Sequence, residues 1–247
     1  MLPSDVRQAR RAFAIAVLAF VVALLLSAAS DEGGVAWTIR LTRALPIAPL
    51  AGALGVWLTL SSRRAKADAL ALEATGRSPK RNSAGAVVGG AGFALLLALV
   101  LASWSKLDIS AIFPAFSASP RVAWNGEAFV DTEHGLRFAE DGSVALAPEA
   151  VTPALALGPS AGRERAAGSL ALAFASVAFA LLAAAIVRHL SVRAATSIGV
   201  VALATVFAFD AVASGRASPF VVVLPPAALS LFAWLEYLRS AWLVPSK

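Results

Sequence analysis

The sequence predicts an all-α polytopic membrane protein of six transmembrane helices, and three observations carry that. Of its 247 residues 59% are hydrophobic and only 15% charged, against roughly 25% charged in soluble domains. Mean hydropathy is +0.76. Six apolar runs are each long enough to cross a hydrocarbon core about 30 Å thick, which takes about 20 helical residues. The runs are rich in Leu, Ala, Val and Phe and lack the alternation of a transmembrane β-strand.

The runs are Ala12–Ala29, Val35–Leu60, Ala84–Trp104, Gly168–Val187, Ala194–Ala213 and Pro219–Leu238. Arg7, Arg10 and Arg11 precede the first, and Ser27, Ala28 and Ala29 end it. That resembles a secretory signal, but the run is longer than the usual 7–15 residues and five more spans follow. A retained first helix is therefore expected. The organisation that follows is spans one to three over 1–104, with a short cytoplasmic helix at 63–76. An extracytoplasmic insertion occupies 105–167, and spans four to six occupy 168–247.

Charge sets the orientation. With both termini inside, the inner segments carry Arg7, Arg10, Arg11, Arg63, Arg64, Lys66, Arg77, Lys80, Arg81, Arg188, Arg193, Arg239 and Lys247. The outer ones carry Lys106, Arg121, Arg137, Arg163, Arg165 and Arg216, with Arg40 and Arg43 at an outer helix end. Most acidic residues fall outside. This is the positive-inside pattern and predicts N-in/C-in. The same pattern accounts for the net charge of +6 without nucleic acid.

The insertion contains VAWNGEAFV (Val122–Val130) and LRFAEDGSVAL (Leu136–Leu146). Asn-Gly or Asp-Gly between apolar runs is a two-residue hairpin signal, so a small sheet of two β-hairpins is expected, flanked by Pro114, Pro120, Pro148, Pro153 and Pro159. His134, beside Asp131 and Glu133, has no second His or Cys with which to hold a metal. There is no cysteine, hence no disulfide framework or thiolate site.

No phosphate loop or H-E-x-x-H motif occurs, and no G-x-S-x-G stands out, so no enzymatic activity and no cofactor are expected of this chain. GAVVGGAG (Gly85–Gly92) contains G-x-x-x-G and reads as close helix packing. Asp210, Arg216, Glu236 and Arg239 read as helix-end residues. A solute-coupled secondary transporter would need Asp210 or Glu236 to titrate in the membrane.

Arg40 and Arg43 lie one turn apart at the outer end of span two and share a face. They suit snorkelling to the headgroups or a pair of cations for an anionic lipid headgroup. Pro46 and Pro49 should bend that span. Beyond it, Ala65–Thr75 favours helix, Gly76 suits the C′ position and Pro79 the stop. On this helix Asp68 and Leu72 lie a turn apart with Glu73 beside them, and Leu70 and Ala74 form a second apolar line.

The stretch TRALPIAPLAGALGVWLTLSSRRAKADALALEATGRSP (Thr42–Pro79) resembles the second span and following segment of the lipopolysaccharide export permeases, the LptF/LptG family. GRASPFVVVLPPAALSLFAW (Gly215–Trp234) is similar to that family's last span. The resemblance implies a permease subunit of an ATP-driven lipid or lipopolysaccharide exporter of the inner membrane. It would pair with a second permease chain and a cytoplasmic ABC-type ATPase that binds the ATP. The helix after span two would be the coupling helix, with Asp68, Leu70, Leu72, Glu73 and Gly76 at the ATPase and Arg40 and Arg43 at the headgroup. Asp68 stands where the family has Glu, and Glu73 where it commonly has Arg. About 60 residues of insertion are too few for the family's periplasmic β-jellyroll. The rivals are a non-transporting membrane scaffold and the secondary transporter.

Overall fold

The computed structural model describes residues 3–30, 35–109, 112–113, 122–124, 128–131, 136–139, 141–146, 160–187, 192–213 and 216–239. Helix α1 spans Pro3–Ser30, α2 Trp37–Ala44, α3 Ala48–Ser61, α4 Arg63–Ala74 and α5 Pro79–Ser103. After the insertion come α6 (Ser160–Ile186), α7 (Val192–Ala213) and α8 (Leu224–Arg239). Six helical segments are long and apolar enough to cross a membrane: Pro3–Ala29, Trp37–Ser61, Lys80–Ser103, Gly162–Ile186, Thr196–Ala213 and Pro219–Arg239. The chain is a mostly helical, multi-pass membrane protein.

Proline shapes two of the spans. Span two is α2 and α3 joined by a 3-10 turn, Leu45–Ile47, because Pro46 has no N–H to give and its ring crowds the preceding turn. Span six likewise opens with a 3-10 segment, Pro219–Val223, before α8. Pro79, read from sequence as a stop, is also a start: it occupies the first turn of α5, where a missing N–H costs nothing.

Glycine sets the spacing of the first three spans. A Cβ on Gly85 or Gly89 of α5 would collide with the carbonyl of Asp5 or Ala9 of α1, and one on Gly55 of α3 with that of Ala12. A Cβ on Gly52 would come 2.5 Å from the Gly90 oxygen, and one on Gly90 as close to the Gly52 oxygen. Backbones this close pack through van der Waals contact and Cα–H···O contacts, which replace the absent hydrophobic drive in lipid. Phe93 of α5 fills the next layer, edge-on to Phe13 and Phe20 of α1 at 5.7 and 5.6 Å between centroids.

Spans two, three and four form the centre, each half buried over its most apolar stretch, whereas span five is only 6% buried there. Two apolar clusters fill the bundle. Phe20, Leu45, Phe93, Leu101 and Leu107 belong to one, and Val56, Leu181, Leu182, Leu229 and Tyr237 to the other.

In the insertion, strands β1 (Val122–Trp124), β2 (Ala128–Asp131), β3 (Leu136–Ala139) and β4 (Val144–Leu146) form one antiparallel sheet in the order β1-β2-β3-β4, with β1 paired to β2, β3 to β4, and β2 joining the two pairs through β3. The turn spacing differs from the expected two-residue kind. Trp124 pairs with Phe129, so the register leaves four residues between them, and the Asn125-Gly126 turn lies outside the described residues. Phe138 pairs with Val144. The turn there puts Gly142 at φ +81°, and Asp141 accepts from the Ser143 N–H and hydroxyl at 2.9 and 2.6 Å. Those two donors hold the Asp141 carboxyl below its ordinary pKa of 3.8. A longer loop with a left-handed glycine serves as well as the two-residue turn, and pairing between β2 and β3 then decides the sheet. His134 and Pro114, Pro120, Pro148, Pro153 and Pro159 also lie outside the described residues.

Candidate functional site: a surface helix fastened to three spans

Helix α4 connects spans two and three at the end of the bundle that holds the chain termini. Ser62 starts it, its side chain accepting from the Ala65 N–H. At its end the Gly76 N–H bonds the Glu73 carbonyl (2.9 Å) and the Arg77 N–H the Leu72 carbonyl (3.0 Å), with Gly76 at φ +84°. This double bond over a left-handed glycine is a Schellman cap. Only glycine takes that φ without strain.

The corner that follows, Arg77 to Ser83, is fastened on three sides. The Arg77 guanidinium donates to the Asp5 carboxylate of α1 at 2.6 Å, with the two side chains only 12% and 10% exposed. It also donates to the Arg81 carbonyl at 3.0 Å. The Asn82 amide donates to the Ala69 carbonyl and to the Glu73 carboxylate at 3.4 and 3.3 Å, tying α4 to α5. Tyr237, near the end of α8, donates to the Lys80 carbonyl at 2.9 Å and lies 3.0 Å from the Ser83 hydroxyl. Spans one, three and six therefore all hold one turn of chain.

The five residues assigned to coupling divide in two. Asp68, Leu70 and Gly76 are exposed, Leu70 at 69%. Leu72 and Glu73 are half-buried, and Glu73 is engaged by Asn82. Asp68 and Leu70 are thus exposed on two flanks of the helix, Asp68 beside α1 and α3 and Leu70 beside α5 and α6, with Glu73 as the root held by Asn82. Sequence reasoning grouped them because all lie on one short helix. It missed Asp5, Asn82 and Tyr237, whose roles depend on long-range contacts, although the R-S-P after Gly76 marked the corner.

At the opposite end, Arg43 is exposed and Arg40 half-buried, its guanidinium lying 5.1 Å over the ring of the exposed Trp37. Trp and Arg together are an interfacial pair. Just beyond, a cavity of about 350 Å³ lies between span two and spans four to six. Leu45, Pro46, Pro49, Phe179, Phe209 and Pro226 are among its walls. Thr205 is the one residue with a polar side chain among the lining residues, so its chemistry suits an acyl chain.

Arg165 of α6 is a further residue that sequence reading passed over as a loop cation. Its guanidinium donates to the carbonyls of Leu101, Trp104, Ser105 and Leu107 at 3.2, 2.5, 3.2 and 2.8 Å. It caps the end of α5, where bare carbonyls and the helix dipole favour a cation. Asp210 pairs with Arg216 (2.7 Å) and Glu236 with Arg239 (3.6 Å), as helix-end residues do. Among the described residues no group of three metal-ligating side chains occurs.

No protein-family model, curated protein or solved structure matches the chain.

Proposed function

We propose that the chain is a permease subunit of an ATP-driven exporter of a lipid or glycolipid, of which lipopolysaccharide is one class. It lies N-in and C-in in the inner membrane of the cell, and works with a second permease chain and a cytoplasmic ABC-type ATPase. One observation carries the reading: a short helix leaves Asp68 and Leu70 exposed on its two flanks while its root is fastened to spans one, three and six. A push on the exposed face is transmitted because the corner is held by buried polar contacts that resist bending. A passive linker needs no such fastening.

The cargo end fits an amphiphile. Arg40 and Arg43 offer positive charge at the outer end of span two, and the apolar cavity beside Leu45 and Pro49 offers room for a chain. ATP is bound by the partner, and this chain supplies neither catalytic group nor cofactor. The four-stranded meander, which we place outside the membrane, is far smaller than a jellyroll and serves some contact other than the family's periplasmic bridge. The secondary-transporter reading gains nothing from Asp210 and Glu236, both paired at helix ends.

The test is a mild-detergent pull-down of the tagged chain as wild type, Asp68→Lys and Leu70→Asp, with co-purifying proteins identified. A phosphate-loop ATPase that accompanies wild type and is depleted about tenfold or more in both variants is the expected result. Absence of any ATPase with wild type would leave the exporter without its motor and favour the scaffold.

A further inference from the structure

A second cavity, of about 210 Å³, opens where α1, α3 and α4 meet, and its lining differs from that of the first. Ser4, Arg7, Gln8 and Arg11 of α1, Thr59 of α3, and Ala65 and Asp68 of α4 surround it. Thr59 is 1% exposed, yet its hydroxyl has no hydrogen-bond partner among the described residues, and neither has the buried Gln8 Oε1. Leaving such groups unmatched costs about 1–3 kcal/mol each, so this cavity is built for something polar.

The lining specifies what. Arg7 and Arg11 are four residues apart and share a face of α1. Two guanidiniums side by side suit a phosphate, which they grip through paired N–H donors, and the Thr59 hydroxyl adds another donor. Asp68 and Gln8 Oε1 are acceptors, however, and a bare phosphate would meet repulsion from one and leave the other unmatched. A phosphodiester that also carries hydroxyl groups satisfies both sets. Two guanidiniums against one carboxylate leave one surplus positive charge, which a monoanionic headgroup balances and a zwitterionic one does not.

The outer face of α1 continues the pattern. At 100° per residue Arg7, Arg11, Ala14, Leu18, Val21, Val22 and Leu25 fall on one stripe, and all are exposed. The opposite stripe, Asp5, Ala12, Ala16 and Phe20, is buried against α3 and α5. One face of one helix thus runs from two cations at the membrane surface into an apolar track, the layout of a lipid from head to tail.

We propose that this cavity is a headgroup site for a monoanionic phospholipid of the phosphatidylglycerol type, in the leaflet on the side of the chain termini. The phosphate lies on Arg7, Arg11 and Thr59, the glycerol hydroxyls on Gln8 and Asp68, and the acyl chains along Leu18 to Leu25. Because Asp68 belongs to α4, the lipid cross-links that surface helix to α1 from the side opposite Arg77. The inference does not rest on the permease reading, since no ATPase or cargo enters it.

The experiment is native mass spectrometry of the full chain in mild detergent, titrated with phosphatidylglycerol, phosphatidylethanolamine and phosphatidylcholine of identical acyl chains. Inorganic phosphate is the competitor. Wild type should retain phosphatidylglycerol at about tenfold lower concentration than either zwitterionic lipid, with millimolar phosphate failing to displace it. Arg7→Gln with Arg11→Gln should remove that preference, a loss of about tenfold, the scale of a charge-assisted contact. Arg163→Gln, at the exposed far end of α6, should change nothing. Thr59→Val keeps the side-chain shape and should weaken retention about threefold, so the site stays testable should the double variant fail to fold. Equal retention of the three lipids by wild type, equal phosphatidylglycerol retention by wild type and Thr59→Val, or displacement by phosphate would each overturn the proposal.

Discussion

The two halves of the bundle are packed by different means. Spans one to three meet backbone to backbone, with Gly52, Gly55, Gly85, Gly89 and Gly90 leaving no room for a Cβ. Spans four to six meet span two through side chains and leave a cavity of about 350 Å³. Span five is 6% buried over its most apolar stretch against 50% for spans two, three and four. Close-packed backbones have no soft side chains with which to adjust, so the first half should resist internal rearrangement. The second half has space and a loosely held helix, the properties needed to admit an apolar chain.

The largest effect that separates the halves is expected at the corner joining α4 to α5. Arg77→Met takes from the buried Asp5 carboxylate the guanidinium that it meets at 2.6 Å, which typically costs several kcal/mol; about 3 is expected here. Thermal unfolding of the detergent-solubilised chain reads it. Asp5→Leu combined with Arg77→Met should recover much of the loss, because two apolar groups replace a matched pair. A double variant no better than the single would mean that the ion pair is not what fastens the corner.

Next comes the glycine contact. Gly89→Leu must push α1 away from α5, and overpacking of that kind costs about 1–3 kcal/mol. Gly92→Leu, three residues on in the same helix, starts where an added Cβ meets nothing within 4 Å and should be neutral or slightly stabilising, since glycine is a poor helix former. Comparing the two melting temperatures isolates the backbone contact from helix propensity. Equal melting temperatures would remove the distinction drawn between the halves.

The smallest effect on stability is expected in the second half. Ala175→Phe places a ring into the cavity beside Phe179 and Phe209 and should shift stability by less than about 1 kcal/mol, because space is already there. Its effect should show in binding instead: uptake of a fluorescent acyl-chain probe by the purified chain should fall severalfold. A large loss of stability with unchanged probe uptake would mean that the cavity is not open to a chain.

The same contrast separates what was legible in sequence from what was not. Span number and the start and stop of α4 follow from local rules, because hydropathy, a Ser N-cap, Gly76 and Pro79 each act over a few residues. The glycine run was read as packing for the same reason, and a Cβ on Gly85 or Gly89 would indeed meet the backbone of α1. The sheet went differently. Two Asx-Gly pairs pointed to two-residue turns within one small sheet, but the longer loop at Gly142 depends on the strand register several residues away.

By itself the sequence determined that this is a helical membrane chain with six segments long and apolar enough to cross, and a capped polar helix after the second. Those outcomes depend on hydrophobic length and on backbone chemistry within one or two turns. Only the tertiary structure decided that Glu73 is half-buried and engaged by Asn82 while Asp68 and Leu70 stay exposed. It likewise paired Arg77 with Asp5 across 72 residues of chain. Arg165, one loop cation among several in the sequence, became the cap of a neighbouring helix. A charged side chain in lipid is defined by the one partner that it finds, and chain distance carries no record of which partner that is.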